Sequence, residues 1–197
     1  MTFKLGLTGS IGMGKSTTAQ MFSDQGCAVW DADAAVHRMY AVGGEAVAKM
    51  AAEFPDAIVD GAVSRVALKE IISRDTSALS KIEAIVHPLV AADRNTFIEN
   101  SAAEITVLDI PLLFENGTEK TLDAVACVSV SPEIQKNRVL ERGTMSEAQF
   151  ANILSIQMPI ADKIAKSDYV IETDTLEHAL SQVKDVIADI KQRLAHA

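Results

Sequence analysis

Eight consecutive residues near the start of the chain have the types and spacing of a phosphate-binding loop. The run from Gly9 to Ser16 fits the pattern G-x-x-x-x-G-K-S/T. Its glycines allow turns that a side chain would block, so successive N–H groups can converge on an anion. Lys15 is placed to reach the β- and γ-phosphates of a nucleoside triphosphate, and the Ser16 hydroxyl to hold Mg²⁺. The loop therefore predicts a site for a nucleoside triphosphate with magnesium.

The residues on either side of the loop fit this interpretation. Leu5–Thr8 is typical of a short buried strand that enters the loop, and Ser16–Phe22 of a helix that leaves it. A helix that begins at the loop adds the positive end of its dipole to the phosphate site. We assign the following residues to nucleotide binding: Gly9, Ile11, Gly12, Met13, Gly14, Lys15, Ser16 and Thr17.

Acidic residues follow two later strand-like segments. Asp31 and Asp33 come directly after Cys27–Trp30, and Asp109 comes directly after Ile105–Leu108. Ligands of open α/β sheets bind outside the carboxyl ends of the strands, so we expect these carboxylates to face the triphosphate. Asp33 could accept the proton of an attacking hydroxyl, while Asp31 could position Mg²⁺ through water. Asp109 has the place of the acidic residue that holds Mg²⁺ in phosphate-loop enzymes.

Structural roles compete with catalytic ones at these carboxylates. On an extended backbone, alternating directions would send the side chains of Asp31 and Asp33 to the same side. Asp33 also precedes the helix-like run Ala34–His37, where it could serve as a helix N-cap instead. Asp109 could cap a turn, and Glu115 is a weaker candidate for the same neighbourhood.

Two arginines lie in a segment that we expect to form a lid, residues 136–166. Arg138 and Arg142 are four residues apart on a predicted helix and therefore share one face. Guanidinium groups suit bidentate contacts to phosphate and can neutralise charge that develops during phosphoryl transfer. A solvated basic face is the alternative, because Glu141 is adjacent to Arg142.

The seventy residues 34–103 separate the second and third strand-like segments and are predicted to be mostly helical. Val66–Ile72 and Ile82–Val86 carry apolar residues at three- and four-residue spacing. The segment is longer than a crossover helix requires, so we expect a helical lobe for a second substrate. Pro88 disfavours helical geometry at His87, so the helix is expected to end there; the His87 imidazole could be structural or contact a substrate.

Strand-like and helix-like segments alternate along the chain. Short, continuous apolar runs are typical of a parallel sheet that is covered on both faces, with helices as crossovers. We predict a single three-layer α/β domain over residues 1–197 with a central five-stranded parallel sheet. The five predicted strands are Leu5–Thr8, Cys27–Trp30, Ile105–Leu108, Val125–Val130 and Tyr169–Ile171.

Composition narrows the class of protein further. The net charge of −9 argues against broad nucleic-acid binding, and no apolar run approaches the ~20 residues of a membrane-spanning helix. Cys27 and Cys127 lie in apolar runs and are expected to be buried free thiols, as in a reducing compartment. The first strand begins so early that we expect no signal peptide and a cytoplasmic protein.

Taken in order along the chain, these motifs resemble those of the dephospho-coenzyme A kinases. The phosphate loop alone indicates only a nucleotide, whereas unrelated phosphate-loop proteins lack the ordered set. The resemblance covers most of the chain. Its motifs are Leu7–Thr17, Asp31–Asp33, His87–Val90, Asp109–Glu115, Glu141–Gly143, Gln157–Pro159 followed by Lys163, and Asp168–Ile171.

The resemblance implies transfer of the ATP γ-phosphate to the ribose 3′-hydroxyl of dephospho-CoA, which gives CoA. It implies ATP as co-substrate, Mg²⁺, an acceptor-binding role for the helical insert and a monomer or weak homo-oligomer. The family's catalytic aspartate falls on Asp33 and its lid arginine on Arg142. The resulting assignments are Lys15, Asp33 and Arg142 for catalysis, Arg138 and Arg142 for ATP, Ser16 and Asp109 for the metal, and Asp31, Asp33, His87, Leu112 and Glu115 for the acceptor.

The chain departs from the family pattern at a few positions. Ser10 stands where Gly is usual and Met13 where Ser is usual, both at variable positions of the loop. Asn152–Ser155 lacks an arginine that members often carry, and Glu172–Thr173 replaces a common Asp-Asn.

Three other functions compete with this prediction. A nucleoside or nucleotide monophosphate kinase would share the loop. A GTPase would need Asn-Lys-x-Asp and Asp-x-x-Gly motifs, which the sequence lacks. A nucleotide-binding module without catalysis would bind ATP but transfer nothing.

Overall fold

Five parallel strands form the main sheet, which from one edge to the other contains Ala28–Asp31, Ile105–Asp109, Phe3–Gly9, Ala124–Ser129 and Tyr169–Glu172. The computed structural model describes residues 2–196. In chain order the strands are β1 (Phe3–Gly9), β2 (Ala28–Asp31), β3 (Ile58–Val59), β4 (Ala62–Val63), β5 (Ile105–Asp109), β6 (Ala124–Ser129) and β7 (Tyr169–Glu172). Each of the five predicted strands is present, and the predicted α/β fold is confirmed.

Helices lie between the strands and after the last one. They are α1 (Lys15–Asp24), α2 (Ala32–Tyr40), α3 (Val47–Glu53), α4 (Arg65–Arg74), α5 (Ala78–Asn100), α6 (Pro132–Glu141), α7 (Glu147–Ile156), α8 (Ile160–Ala165) and α9 (Leu176–Ala195), with short 3₁₀ turns at Pro55–Ala57 and Thr118–Thr121. The chain divides into two compact units. We call Met1–Trp30 with Ser101–Ala197 the sheet unit, and Asp31–Asn100 the insert unit.

The sheet unit has three layers because alternate side chains of β1 point to opposite faces. Leu5 and Leu7 are fully buried and pack in one core with side chains of α1 and α9. On the other face, a Cβ on Gly6 would lie 2.7 Å from Leu113 Cδ1 and 2.5 Å from Leu122 Cδ1. The segment that follows β5 therefore packs directly on the backbone of the central strand.

Four helices and a short hairpin form the insert unit, around buried apolar side chains such as Met39, Met50 and Leu68. The predicted helical character is confirmed. The hairpin of β3 and β4 was not predicted. Its signal was present, because Asp60-Gly61 stands between two apolar pairs. Both residues have positive φ, 51° and 79°, as a tight hairpin turn requires.

Helix α5 runs through Pro88, so the expected helix end at His87 is wrong. An interior proline costs about 3 kcal/mol, because it lacks an N–H group and crowds the preceding turn. Contacts on both sides of it hold the helix. Ile82 is buried before the proline, and beyond it Asp93 accepts from Arg38 of α2 at 2.9 Å. His87 itself is exposed.

Two predictions from composition can be compared with the structure. Cys27 and Cys127 are free and buried, as expected, and burial raises the pKa of each thiol to about 11. Among the helices of residues 2–196, none has the length and apolar character needed to cross a membrane.

Replacing Pro88 by Ala should stabilise the protein. Alanine restores a backbone donor inside α5 and removes the ring, and we expect the free energy of unfolding in urea to rise by about 2 kcal/mol. Pro55→Ala is the matched control. Pro55 begins a 3₁₀ turn, where no donor is missing, so its replacement should leave stability unchanged or slightly lower. A loss of stability in Pro88→Ala would contradict the cost assigned to this proline.

Candidate active site

The loop between β1 and α1 adopts the backbone shape that phosphate binding requires. Gly12 and Gly14 have φ of 77° and 83°, and Gly14 directly precedes α1. Gly9 is the last residue of β1 and has a different role from the turn that we expected. A Cβ there would lie 2.3 Å from Cγ2 of Val128 in β6, so Gly9 is needed for close strand packing.

Lys15 and Asp109 meet at the carboxyl edge of the sheet. Asp109 ends β5 opposite Leu7 of β1, and its side chain is only 2% exposed. The Lys15 ammonium donates to its carboxylate. The structure thus brings together the predicted phosphate-binding lysine and the predicted metal-binding aspartate. Ser16 is exposed in the first turn of α1.

A cavity of about 420 Å³ opens beside the start of α1. Its lining combines apolar side chains of α1 and α9 with polar groups of α6 and of the β7 exit. The lining residues are Gly14, Thr17, Thr18, Met21, Arg138, Glu141, Arg142, Thr173, Thr175, Leu176 and Ala179. A cavity that combines an apolar wall with polar and charged side chains, next to an anion-binding loop, can hold a nucleoside.

The two predicted lid arginines line this cavity but differ in their contacts. Arg138 donates to Thr173 O at 2.6 Å and to Thr173 Oγ1 at 3.2 Å. Arg142 follows α6, is exposed, and has no hydrogen-bond or ion-pair partner within residues 2–196. Arg142 is therefore the arginine that is free to meet a ligand.

Thr173, which follows the edge strand β7, holds the loop through a hydrogen bond. It is buried just after β7, and its Oγ1 donates to Met13 O at 2.9 Å. A Cβ on Gly14 would lie 3.2 Å from Thr173, so the contact is close. The role of Thr173 was not predicted, since a threonine after a strand carries no signal of a distant partner.

Lys163 of α8 anchors the start of the loop. Its side chain is fully buried, with Nζ 2.9 Å from Glu115 Oε1, 3.0 Å from Pro111 O and 3.5 Å from Gly9 O. Glu115 also accepts from the Met158 N–H group at 2.8 Å. Burial acts to raise the pKa of Glu115, but the Met158 N–H group and the Lys163 ammonium outweigh it and hold that pKa below its usual value.

The ion pair between Lys163 and Glu115 changes the interpretation of two predicted residues. Glu115, assigned to the acceptor and metal neighbourhood, has one carboxylate oxygen engaged by Lys163, while Oε2 is buried with no hydrogen bond to residues 2–196. Lys163 lies within the expected lid, but its burial ties that end of the segment to the sheet. Leu112, also assigned to the acceptor, is 37% exposed in the turn after β5.

In the insert unit, Asp31 and Asp33 differ from what the sequence predicted. Helix α2 begins at Ala32, so an extended backbone does not send the two side chains to the same side. Asp31 is the N-cap and accepts from the Ala34 N–H group at 2.9 Å, so the capping role predicted for Asp33 belongs to Asp31. Asp33 lies exposed in the first turn, and its carboxylate has no hydrogen bond or ion pair within the described residues.

A phosphate loop after the central strand of a parallel sheet, a lysine on a buried aspartate and an arginine-lined cavity define the class of P-loop kinases. Within this class, the model of the family described as CoaE, dephospho-CoA kinase, matches residues 3–178. The chain belongs to the dephospho-CoA kinase family.

Similarities to individual proteins support the assignment to this family. The chain is 64% identical over 197 residues to a dephospho-CoA kinase of Ruegeria pomeroyi, covering 100% of both. It is 53% identical over 190 residues to one of Cereibacter sphaeroides, covering 96% of each. A Thermus thermophilus crystal structure superposes with a TM-score of 0.85 at 31% identity, covering 95% of this chain and 97% of that one. The dephospho-CoA kinase structure of Campylobacter jejuni shares the fold, with a TM-score of 0.70 at 23% identity and 98% of each chain covered.

Removing the buried ammonium should destabilise the protein. Lys163→Met leaves the Glu115 carboxylate and two carbonyls without their cation, and such losses cost about 3 kcal/mol or more. We expect this decrease in the free energy of unfolding measured in urea. Lys166→Met changes an exposed lysine just after the same helix and should cost less than about 0.5 kcal/mol. Equal losses in the two variants would contradict the anchor role of Lys163.

Proposed function

We propose that this chain transfers the γ-phosphate of ATP to the ribose 3′-hydroxyl of dephospho-CoA. The products are CoA and ADP, in the last step of coenzyme A biosynthesis. The observation that carries the proposal is a complete phosphate loop, with Lys15 on Asp109, in a member of the dephospho-CoA kinase family.

The donor half of the reaction uses the sheet unit. The loop from Gly9 to Thr17 binds the phosphates through its available backbone N–H groups and the N-terminal end of α1. The N–H groups of Ile11 and Met13 are not among them, because they donate to Gln157 Oε1 and to Ser10 O. Lys15 contacts the β- and γ-phosphates from its position beside Asp109. The adenosine lies in the 420 Å³ cavity, whose apolar wall includes Met21 and Leu176.

The residues near the loop suit magnesium. Mg²⁺ prefers oxygen ligands and is usually held by one or two carboxylates together with the substrate's phosphates. Asp109 supplies a carboxylate and Ser16 a hydroxyl. Residues 2–196 contain no cluster of three or more His, Cys, Asp or Glu side chains able to bind a metal alone, which favours an ion held largely by ATP. When bound, the ion would neutralise charge on the phosphates.

The acceptor half of the reaction uses the insert unit. Asp33 accepts the proton of the 3′-hydroxyl as that oxygen attacks the γ-phosphorus. Its exposed carboxylate, without partners in residues 2–196, supports this role. Asp31 holds the start of α2 and so orients Asp33, while His87 contributes to acceptor binding. Leu112, after β5, contacts the acceptor.

Arg142 stabilises the charge of the transferring phosphoryl group. Its free guanidinium on the wall of the cavity supports this role. Residues 136–166 act as a lid that closes over ATP. Arg138 is held by Thr173, and Lys163 is held by Glu115. We therefore propose that the part of the lid between Arg138 and Lys163 moves when the lid closes.

The remaining proposals concern the setting of the reaction. The protein acts in the cytoplasm, and its two buried free thiols suit a reducing compartment. It works as a monomer or weak homo-oligomer, with small molecules rather than nucleic acid or membranes as partners. The net charge of −9 supports this choice of partners.

A substrate panel tests the proposed function directly. Purified protein with ATP and Mg²⁺ is offered dephospho-CoA, adenosine or AMP, and ADP release is followed in a coupled assay. We expect the highest kcat/KM with dephospho-CoA. Preference for AMP would instead indicate a nucleotide monophosphate kinase, and ATP binding without transfer to any acceptor would indicate a binding module.

Asp33→Asn tests the proton acceptor. The amide cannot take the proton, so kcat should fall by about 10²- to 10⁴-fold, the usual contribution of a general base. The Kd for ATP, measured by calorimetry, should stay within about threefold, since Asp33 is not a phosphate ligand. Asp31→Asn keeps a good helix cap and should lower kcat far less. A loss in Asp31→Asn as large as in Asp33→Asn would contradict the assignment.

A further inference from the structure

Two glutamine side chains hold the first variable positions of the phosphate loop. Gln157 Oε1 accepts from Ser10 Oγ at 2.7 Å and from the Ile11 N–H group at 3.3 Å. Gln135 Nε2 donates to Ile11 O at 2.7 Å and to Ser10 Oγ at 3.3 Å. Together these bonds satisfy the backbone of Ile11 and the hydroxyl of Ser10.

The donors and acceptors of this network are mutually consistent. A hydroxyl has one hydrogen, which Ser10 gives to Gln157, and it retains lone pairs that accept from Gln135. Ser10 is 7% exposed and Gln135 is 5% exposed, so water cannot readily replace a lost partner. Polar networks that are buried and fully satisfied fix one geometry, because a broken bond leaves an unpaired group.

The two glutamines lie on either side of Arg142 in the chain. Gln135 is in α6, and Gln157 is the residue after α7. Both ends of the segment that carries Arg142 are therefore hydrogen-bonded to the same two loop residues, Ser10 and Ile11. The proposed phosphate contacts use the glycine turns, Lys15 and the start of α1, and leave this network without a role.

We propose that Gln157, together with Gln135, is a positioning residue that holds Ser10 and Ile11 so that the following loop amides converge on the phosphates. The network also couples the segment bearing Arg142 to the nucleotide site, a point that rests on the proposed function. A serine at position 10 is what allows the hydroxyl link.

Gln157→Met tests this role, because methionine keeps the length of the side chain and removes the strong acceptor. We expect the Kd for ATP, measured by calorimetry without any acceptor, to rise about tenfold, as loss of two partly buried hydrogen bonds permits. At saturating ATP, kcat should stay within about threefold of wild type, since no reacting atom is touched. A merely structural residue would lower the melting temperature without changing this Kd.

Gln149→Met is the matched control. Gln149 lies in the first turn of α7, the helix that ends just before Gln157. It completes a capping box with Ser146 at the opposite end of that helix from Gln157. This variant should lose stability but bind ATP with the wild-type Kd. An unchanged Kd in Gln157→Met, or an equal rise in Gln149→Met, would overturn the proposal. Because ATP binding is measured alone, an incorrect acceptor assignment would not affect the result.

A double-mutant cycle tests the link through Ser10. If Ser10 acts through Gln157, the Kd of Ser10→Ala with Gln157→Met should rise by less than the product of the two single effects. Effects that multiply would show that the two side chains act independently and would contradict the network. Should Gln157→Met fail to fold, Gln157→Asn retains the amide one methylene short, and the same rise in Kd is expected.

Discussion

The phosphate loop must hold several backbone N–H groups toward one point, and a glycine-rich segment does not keep such a shape unaided. Ordering each residue costs about 1–2 kcal/mol of conformational entropy, and more for glycine. In this protein the carbonyls of the loop are fixed from outside. Lys163 lies at Gly9, Gln135 at Ile11 and Thr173 at Met13. The backbone is therefore shaped before any phosphate arrives.

The same contacts determine which cations remain available for chemistry. The Lys163 ammonium is paired with the Glu115 carboxylate, because a fully buried ammonium without a carboxylate would be strongly destabilising. The Arg138 guanidinium donates hydrogen bonds to the carbonyl and hydroxyl groups of Thr173. Lys15 donates to Asp109 at the carboxyl edge of the sheet, and the Arg142 side chain has no partner in the described chain. Of these four cations, we propose Lys15 and Arg142 as the two that contact the phosphates.

The sequence predicted the features that local patterns encode. Five apolar runs predicted the strands, and the loop pattern predicted the turn between β1 and α1, with Lys15 at the start of the helix. The failures have physical causes. Packing carries α5 through Pro88, and a helix that starts at Ala32 gives the capping role to Asp31. The partners of the loop lie 124 to 160 residues away, so no spacing in the sequence reveals them.

We expect the phosphate loop to be ordered before ATP binds, and amide hydrogen exchange measures this order. The Ile11 N–H group donates to Gln157 and the Met13 N–H group to Ser10 O at 3.2 Å. In the nucleotide-free protein, exchange at these two amides should already be much slower than in an unstructured chain, and ATP should change it little. If exchange is as fast as in an unstructured chain, and protection appears only after ATP is added, then ATP and not the surrounding side chains orders the loop.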